Sequence, residues 1–277
     1  MTVDKIQLVT HNGSFHADEV SAIALLHLYG VIDYPCLNII RTRDMEVINQ
    51  ADIVLDVGGL HAPEQRRFDH HQIRDGKVSS AGLVWQWIKQ QSGETNREID
   101  RFVDAVDKHD CGVKKMSGFS FAEIIASYNH GDVFNAGRQQ SAFYEALAIA
   151  LKFIGSLKRK QERLIKTQKI IKRSQIYTIG KCRVLILDTY APDWAAVIHG
   201  QSRYSRVTHV IWFVKEKNEW CIQIPAVKAN SFVLVHRKLQ PDDKAEFVHQ
   251  NGFFAVYNSK EALLNMLSRL NSPILCD

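Results

Sequence analysis

Four short segments rich in histidine and aspartate fall within the first 110 residues: His11-Asn12-Gly13-Ser14-Phe15-His16-Ala17-Asp18-Glu19, Asp56-Val57-Gly58-Gly59, Phe68-Asp69-His70-His71 and Asp104-Ala105-Val106-Asp107. If they act together, the fold must gather positions that lie far apart in the chain. Two of them directly follow strand-like runs, Ile6 to Thr10 before His11 and Ile53 to Leu55 before Asp56. Open α/β sheets collect ligand-binding residues at the carboxyl ends of parallel strands, so this placement constrains the fold class strongly. Between the segments, Asp18 to Tyr29 carries Val20, Ala24, Leu25 and Leu28 at helical spacing, Leu37 to Ile40 is strand-like, and Ser79 to Gln91 and Thr95 to Lys108 are again helical. Such alternation predicts a doubly wound, mainly parallel sheet.

The second half is organised differently. Arg138 to Arg173 contains no proline and a single glycine, Gly155, which predicts one long helix or two abutting ones. Beyond Tyr177 come short β-branched runs: Arg183 to Leu187, Val207 to Val214, and Trp220 to Ile224. The last two flank the polar stretch Lys215 to Glu219 and predict a hairpin. A helix from Ser259 to Leu270 closes a smaller α/β domain with a mixed sheet. The expected division is therefore a first domain over 1–137, a helical connector over 138–175 and a second domain over 176–277. The chain of 277 residues is long enough for two cores.

Five cysteines, Cys36, Cys111, Cys182, Cys221 and Cys276, are scattered and form no Cys-x-x-Cys pair. That argues against a disulfide framework or a structural zinc site and for a reducing compartment. Met1 to Lys5 leads straight into the first strand, and no signal peptide or membrane-length apolar run is evident, so a soluble cytoplasmic protein with no membrane partner is expected. The net charge of +5 is concentrated: Lys158, Arg159, Lys160, Arg163, Lys166, Lys169, Lys172 and Arg173 stand against Glu162 alone between Ser156 and Arg173. This stripe reads either as a phosphate-backbone footprint or as a solvated helix face.

Imidazole and carboxylate suit first-row divalent ions with octahedral N/O shells, and a pair of such ions takes about six to eight protein ligands with one carboxylate between them. Each segment alone has a plainer reading. His11 would be a strand-end residue, Asp18 a helix N-cap, Asp56 part of a turn before Gly58-Gly59, and Asp104 and Asp107 a solvated helix face. Their joint occurrence favours a two-metal phosphoesterase site.

The triplet Asp69-His70-His71 resembles the signature of the DHH phosphoesterase superfamily, whose members bind two manganese or similar ions. The chain is more similar still to a branch related to that superfamily, the melanocyte-proliferating-gene-one family of exonucleases. The resemblance rests on Thr10 to Glu19, Asp56 to Gly59, Phe68 to Gln72, Ser79 to Val84 and the closing run Phe247 to Phe253. It implies a 3′-to-5′ exonuclease acting on RNA, with single-stranded DNA as a second substrate; a homodimer is an option left open by the sequence. His11, His16 and Asp56 would hold one ion, and Asp18, Asp56, His70 and Asp107 the other. The ions would be Mn2+, with Mg2+ or Co2+ as alternatives. Two departures stand out. Where the family shows Asn-Gly after the residue matching Asp107, this chain has Lys108-His109-Asp110-Cys111-Gly112, so Asp104 or Asp110 is an alternative for that role. Ala255-Val256 replaces the usual closing Gly-Gly.

In such a site a metal-activated water attacks phosphorus in line and no protein nucleophile is needed. Asp69 would orient a ligand histidine. His71 would contact the scissile phosphate or protonate the leaving oxygen. Arg237, His236 and His249, with Gly252 allowing close backbone approach, would hold substrate in the second domain, with Lys158 and Arg159 contributing from the stripe. Phe232 and Phe253 read either as base-stacking groups or as core. The competing functions are a small-molecule phosphohydrolase acting on pyrophosphate, a short oligonucleotide or a cyclic dinucleotide, and a nucleic-acid-binding module without catalysis.

Overall fold

Alternate residues of the first strand enter two different cores. The computed structural model describes residues 5–73, 76–114, 118–199, 201–228 and 231–270; Cys276 lies outside them. In β1 (Ile6–Thr10), Leu8 joins a large apolar cluster with Phe15, Ile23 and Trp85, whereas Val9 joins a small one with Ile48 and Val54. This period of two follows from the pleat of a strand buried on both faces, the situation of a parallel sheet with helices on either side.

The chain divides between Gln161 and Glu162 into two units. The first contains β1, α1 (Ala17–Leu28), β2 (Leu37–Arg41), α2 (Met45–Gln50), β3 (Ile53–Leu55), β4 (His61–Ala62), β5 (Arg67–Phe68), α3 (Ser80–Ser92), α4 (Arg97–Asp110) and α5 (Phe121–Ser127). Its sheet has the order β2-β1-β3-β5-β4, parallel throughout except for the terminal β4. The order reverses at β1, which is the doubly wound arrangement expected from the sequence. Residues of α1, α3, α4 and the start of α6 (Ala136–Arg173) cover one face, and α2 covers the other. Phe143, Leu147 and Ile154 on α6 are fully buried there, each worth about 1.5–3 kcal/mol of apolar burial.

The second unit is a six-stranded mixed sheet of order β10-β11-β9-β8-β7-β6. Its elements are β6 (Gln175–Ile179), β7 (Cys182–Ile186), α7 (Trp194–Ile198), β8 (His209–Val214), β9 (Glu219–Gln223), β10 (Phe247–Val248), β11 (Phe254–Tyr257) and α8 (Lys260–Arg269). The hairpin expected around Lys215 to Glu219 is formed by β8 and β9, with Val214 opposite Glu219. Val210 and Trp212 face a cluster with Ile171 and Trp194, and Ile211 faces another with Leu263 and Leu267 of α8.

His209 opens β8 and is fully buried. Its Nδ1 lies 3.0 Å from the Thr208 hydroxyl, and its ring centroid is 4.8 Å from that of His236. Burial, reinforced by the neighbouring His236, lowers its pKa to about 3. A folded value below the unfolded 6.5 makes the stabilisation complete above pH 6.5 and lost as pH falls toward 3, by up to about 1.4 kcal/mol per pH unit. Denaturant titrations of the whole chain should show a lower midpoint at pH 5 than at pH 7. His209→Leu should shrink that difference, and an undiminished difference would remove His209 as its cause.

Candidate metal centre

Three neighbouring parallel strands deliver three of the four histidine and aspartate segments. His11 follows β1, Asp56 follows β3, and Asp69 to His71 follow β5, and these strands lie side by side. The amino-terminal turn of α1 brings Asp18 and Glu19 to the same place, and the carboxyl-terminal turn of α4 brings Asp110. The helix starts at Ala17 with His16 at the N-cap, so Asp18 does not cap it. Glu19 does reach back, its carboxylate accepting from the His16 backbone N–H at 3.0 Å.

Asp56 is at the centre. Its backbone is left-handed, with φ 57°, a conformation aspartate tolerates better than most residues, and its N–H donates to the Phe68 carbonyl at 3.2 Å. One carboxylate oxygen, Oδ2, lies 3.3 Å from His11 Nε2, and the other, Oδ1, lies 3.2 Å from His70 Nε2. Burial opposes ionisation of Asp56, yet the two imidazoles outweigh it and hold the carboxyl well below the usual range. His11 shows the reciprocal effect. Burial works against its protonation, but Asp56 and Glu19 raise its pKa to about 10. Its Nδ1 is 2.9 Å from the Asn12 carbonyl, which leaves Nε2 as the donor atom toward the cluster.

Four overlapping groups have one ligand atom per residue within 4.8 Å of one another: His11, His16, Glu19 and Asp56; Asp56, His70 and His71; His16, Asp18 and Asp110; and His70, Asp110 and Cys111. Asp18 is the clearest sign that the cluster suits a cation. It is fully buried, and among the described residues neither carboxylate oxygen has a hydrogen-bond partner. Burial, followed by Asp56, Glu19 and Asp110, drives its pKa far upward. An unpaired buried carboxylate is costly, and a divalent cation is the group that satisfies it. With imidazole nitrogens and carboxylate oxygens as the main donors, the cluster fits divalent metals.

The DHH segment is tied to the Asp56 segment. Asp69 Oδ2 accepts from the Gly59 backbone N–H at 2.6 Å, and Asp69 Oδ1 lies 2.7 Å from His71 Nδ1. Asp69 thus orients His71, while His70 is held by Asp56 and, at 3.3 Å, by Asp110. The His71 side chain remains 62 % exposed.

Asp107 is placed differently from the other expected ligands. Its Oδ1 accepts from the Ser79 backbone N–H at 3.0 Å and from the Ser79 hydroxyl at 2.6 Å, joining α4 to the start of α3. Burial raises its pKa to about 6 despite those hydrogen bonds. Gly82 permits the approach, since a Cβ there would lie 2.5 Å from Asp107 Oδ2 and 2.6 Å from Oδ1. Asp104 pairs with Lys108 at 2.7 Å, within the same helix. Glu19 and Cys111 were not singled out as donors from the sequence. Glu19 lies inside the first segment, one residue after Asp18, and Cys111 directly follows Asp110, the sequence alternative to Asp107.

A family model, MYG1_exonuc, described as "Uncharacterised protein family (UPF0160)", matches residues 7–270. The chain belongs to this family. Proteins named MYG1 protein from Chlamydia muridarum and Dictyostelium discoideum are 38 % and 27 % identical over 158 and 324 aligned residues. The first alignment covers 54 % of this chain and 53 % of the relative, the second 96 % and 97 %. A Homo sapiens protein named MYG1 exonuclease is 35 % identical over 137 residues, 39 % of this chain and 36 % of that one. The chain thus spans about half the length of the Chlamydia relatives it matches, at 53 % of theirs. Among solved structures, a crystal structure of exonuclease RecJ bound to manganese aligns over 94 % of this chain and 88 % of that one, at 13 % identity and a TM-score of 0.31.

The expected substrate residues of this MYG1-family chain are scattered in character. In the second unit, His249 and Gly252 line a hollow of about 470 Å³, and His249, Phe232 and Phe253 line another of about 590 Å³. Gly252 has φ +66°, and a Cβ there would meet Leu239 O at 2.8 Å. Phe232 is fully exposed rather than core, and the Phe253 ring lies tilted against His249, with centroids 4.4 Å apart. Arg237 is exposed, whereas His236 is buried against His209, its pKa lowered by burial. Arg159 is exposed, but in the first unit Lys158 donates to the Leu28 carbonyl at 2.7 Å and sits over the Tyr29 ring. No described helix is long and apolar enough to cross a membrane.

Two outcomes follow from this geometry. Wild-type chain with Mn2+ at about 100 times its Kd should gain about 2.7 kcal/mol in denaturant unfolding, and Asp18→Asn should lose that gain while being no less stable in chelator. An equal Mn2+ gain in the variant would exclude Asp18 from the centre. Gly82→Ala should cost about 1–3 kcal/mol by forcing Asp107 off Ser79; wild-type stability would show that the contact yields freely.

Proposed function

We propose that this chain is a metal-dependent phosphodiesterase that removes nucleotides from the 3′ end of single-stranded RNA, with single-stranded DNA as a second substrate. The observation that carries the reading is Asp56, whose two carboxylate oxygens face two different imidazoles and join two donor groups. A shared carboxylate of this kind is what a pair of divalent ions requires. His11, His16, Glu19 and Asp56 would hold one ion. Asp18, Asp56, His70 and Asp110 would hold the other; Asp110 stands in for Asp107 because it falls in two of the donor groups, whereas Asp107 falls in none of them and its Oδ1 accepts both hydrogen bonds from Ser79. Divalent ions held by these residues would activate water at neutral pH and offset charge developing on the phosphate.

The remaining steps belong to side chains. Asp69 fixes the His71 ring through Nδ1, leaving Nε2 to give a proton to the departing oxygen. Polymer rather than small-molecule substrate is supported by Lys166, Lys169, Lys172 and Arg173, all exposed within two turns of α6. Phe232, exposed beside Phe253 and His249, supplies a surface on which an unpaired base can stack. The exonucleolytic mode is supported by the relatives that carry the name MYG1 exonuclease. Preference for RNA and the 3′-to-5′ direction rest on the family resemblance.

The test is cleavage of 5′-labelled single-stranded RNA and DNA in Mn2+, read on a sequencing gel. Products shortening stepwise from the 3′ end are expected, with Asp56→Asn slower by at least on the order of 100-fold. Inert polymers together with hydrolysis of pyrophosphate or a dinucleotide would replace this reading with the small-molecule one.

A further inference from the structure

One donor group in the centre contains a sulfur. Cys111 is the C-cap residue of α4, a half-buried free thiol directly after Asp110. Its backbone N–H donates to the Asp107 carbonyl at 2.9 Å, so the last turn of the helix fixes its position. A donor atom of Cys111 lies within 4.8 Å of one from His70 and one from Asp110, and His70 Nε2 and Asp110 Oδ2 are themselves 3.3 Å apart. Zinc bonds of about 2.0–2.3 Å separate adjacent ligands by about 3–4 Å, so side-chain rotations bring these three onto one ion, which with Asp18 and Asp56 would be five-coordinate. The remaining groups of the cluster contain only histidine, aspartate and glutamate.

We propose that Cys111 is a metal ligand, with His70 and Asp110, and that it makes this position of the centre selective for a thiophilic divalent ion, zinc foremost, over manganese or magnesium. The inference rests on reading the cluster as a metal centre. When the ion binds, the S–H bond breaks, a sulfur–metal bond forms and the proton passes to solvent, with no electron transferred. Thiolate selects zinc, whereas all-oxygen and oxygen–imidazole shells accept manganese and magnesium. In this chain zinc would displace manganese from the position beside α4 and leave the His11 side of the centre unchanged.

Co2+ serves as the probe, because thiolate ligation adds an intense near-ultraviolet charge-transfer band to the weak visible bands of the ion. The intact chain, Cys111→Ser and the control Cys36→Ser would each be titrated with Co2+ and then with Zn2+ against a chelating dye. The band is expected in the intact chain and in Cys36→Ser and absent from Cys111→Ser, which keeps the visible bands. Zn2+ affinity should fall on the order of 100-fold in Cys111→Ser, at the upper end of the loss known for outer-shell partners, and Mn2+ affinity by less than about tenfold. In the intact chain Zn2+ should also protect Cys111 from alkylation, a readout that does not depend on the variant folding. Visible bands without the charge-transfer band in the intact chain would overturn the proposal and leave the metal centre standing. A band that survives in Cys111→Ser would assign the thiolate elsewhere and overturn it too. Absence of any Co2+ binding would overturn both readings.

Discussion

Crowded negative charge is the constraint around which the first unit is arranged. Asp18, Glu19 and Asp56, all buried, and the partly exposed Asp110 approach one another, and the two histidines facing Asp56 cannot neutralise all four. Such an arrangement is unfavourable by itself and persists because the fold around it is over-determined. The strands carrying His11 and Asp56 are buried on both faces, and α1 begins with a turn whose free N–H groups favour carboxylates. The energy of apolar packing is what keeps the charges together until a cation arrives.

Much of this was legible in the sequence, because the fold class and the centre share one cause. Ile6 to Thr10 before His11 and Ile53 to Leu55 before Asp56 identify parallel strands that end in donors, and β1 and β3 are neighbours. The hairpin around Lys215 to Glu219 and the unbroken helix to Arg173 were also readable, from turn chemistry and from the lack of proline. Other elements left no periodic signal. β4, β5 and β10 are two residues long, too short to alternate, and α5 spans only seven residues.

The site was harder to read for a different reason. Asp107 and Asp110 are three apart and share a face of α4, so spacing does not say which one reaches the donors. The fold separates them: Asp110 lies among the donors, whereas Asp107 Oδ1 is engaged by Ser79, far away in sequence. Phe232 was equally opaque, since an aromatic beside Val233 and Leu234 has the composition of a core strand, whereas the structure leaves it in solvent.

The basic stripe on α6 is partly spent inside the protein. Lys158 is engaged by Leu28 and Tyr29, Lys160 pairs with Glu98 at 2.8 Å, and Arg163 pairs with Asp193 at 3.2 Å. A single strand in contact with eight free cations would bind with a logarithmic salt slope of about −5.6, whereas five leave about −3.5. Binding to this helix would therefore tolerate rising ionic strength better than its charge count suggests, because counterions are released only by cations that are free to meet a phosphate.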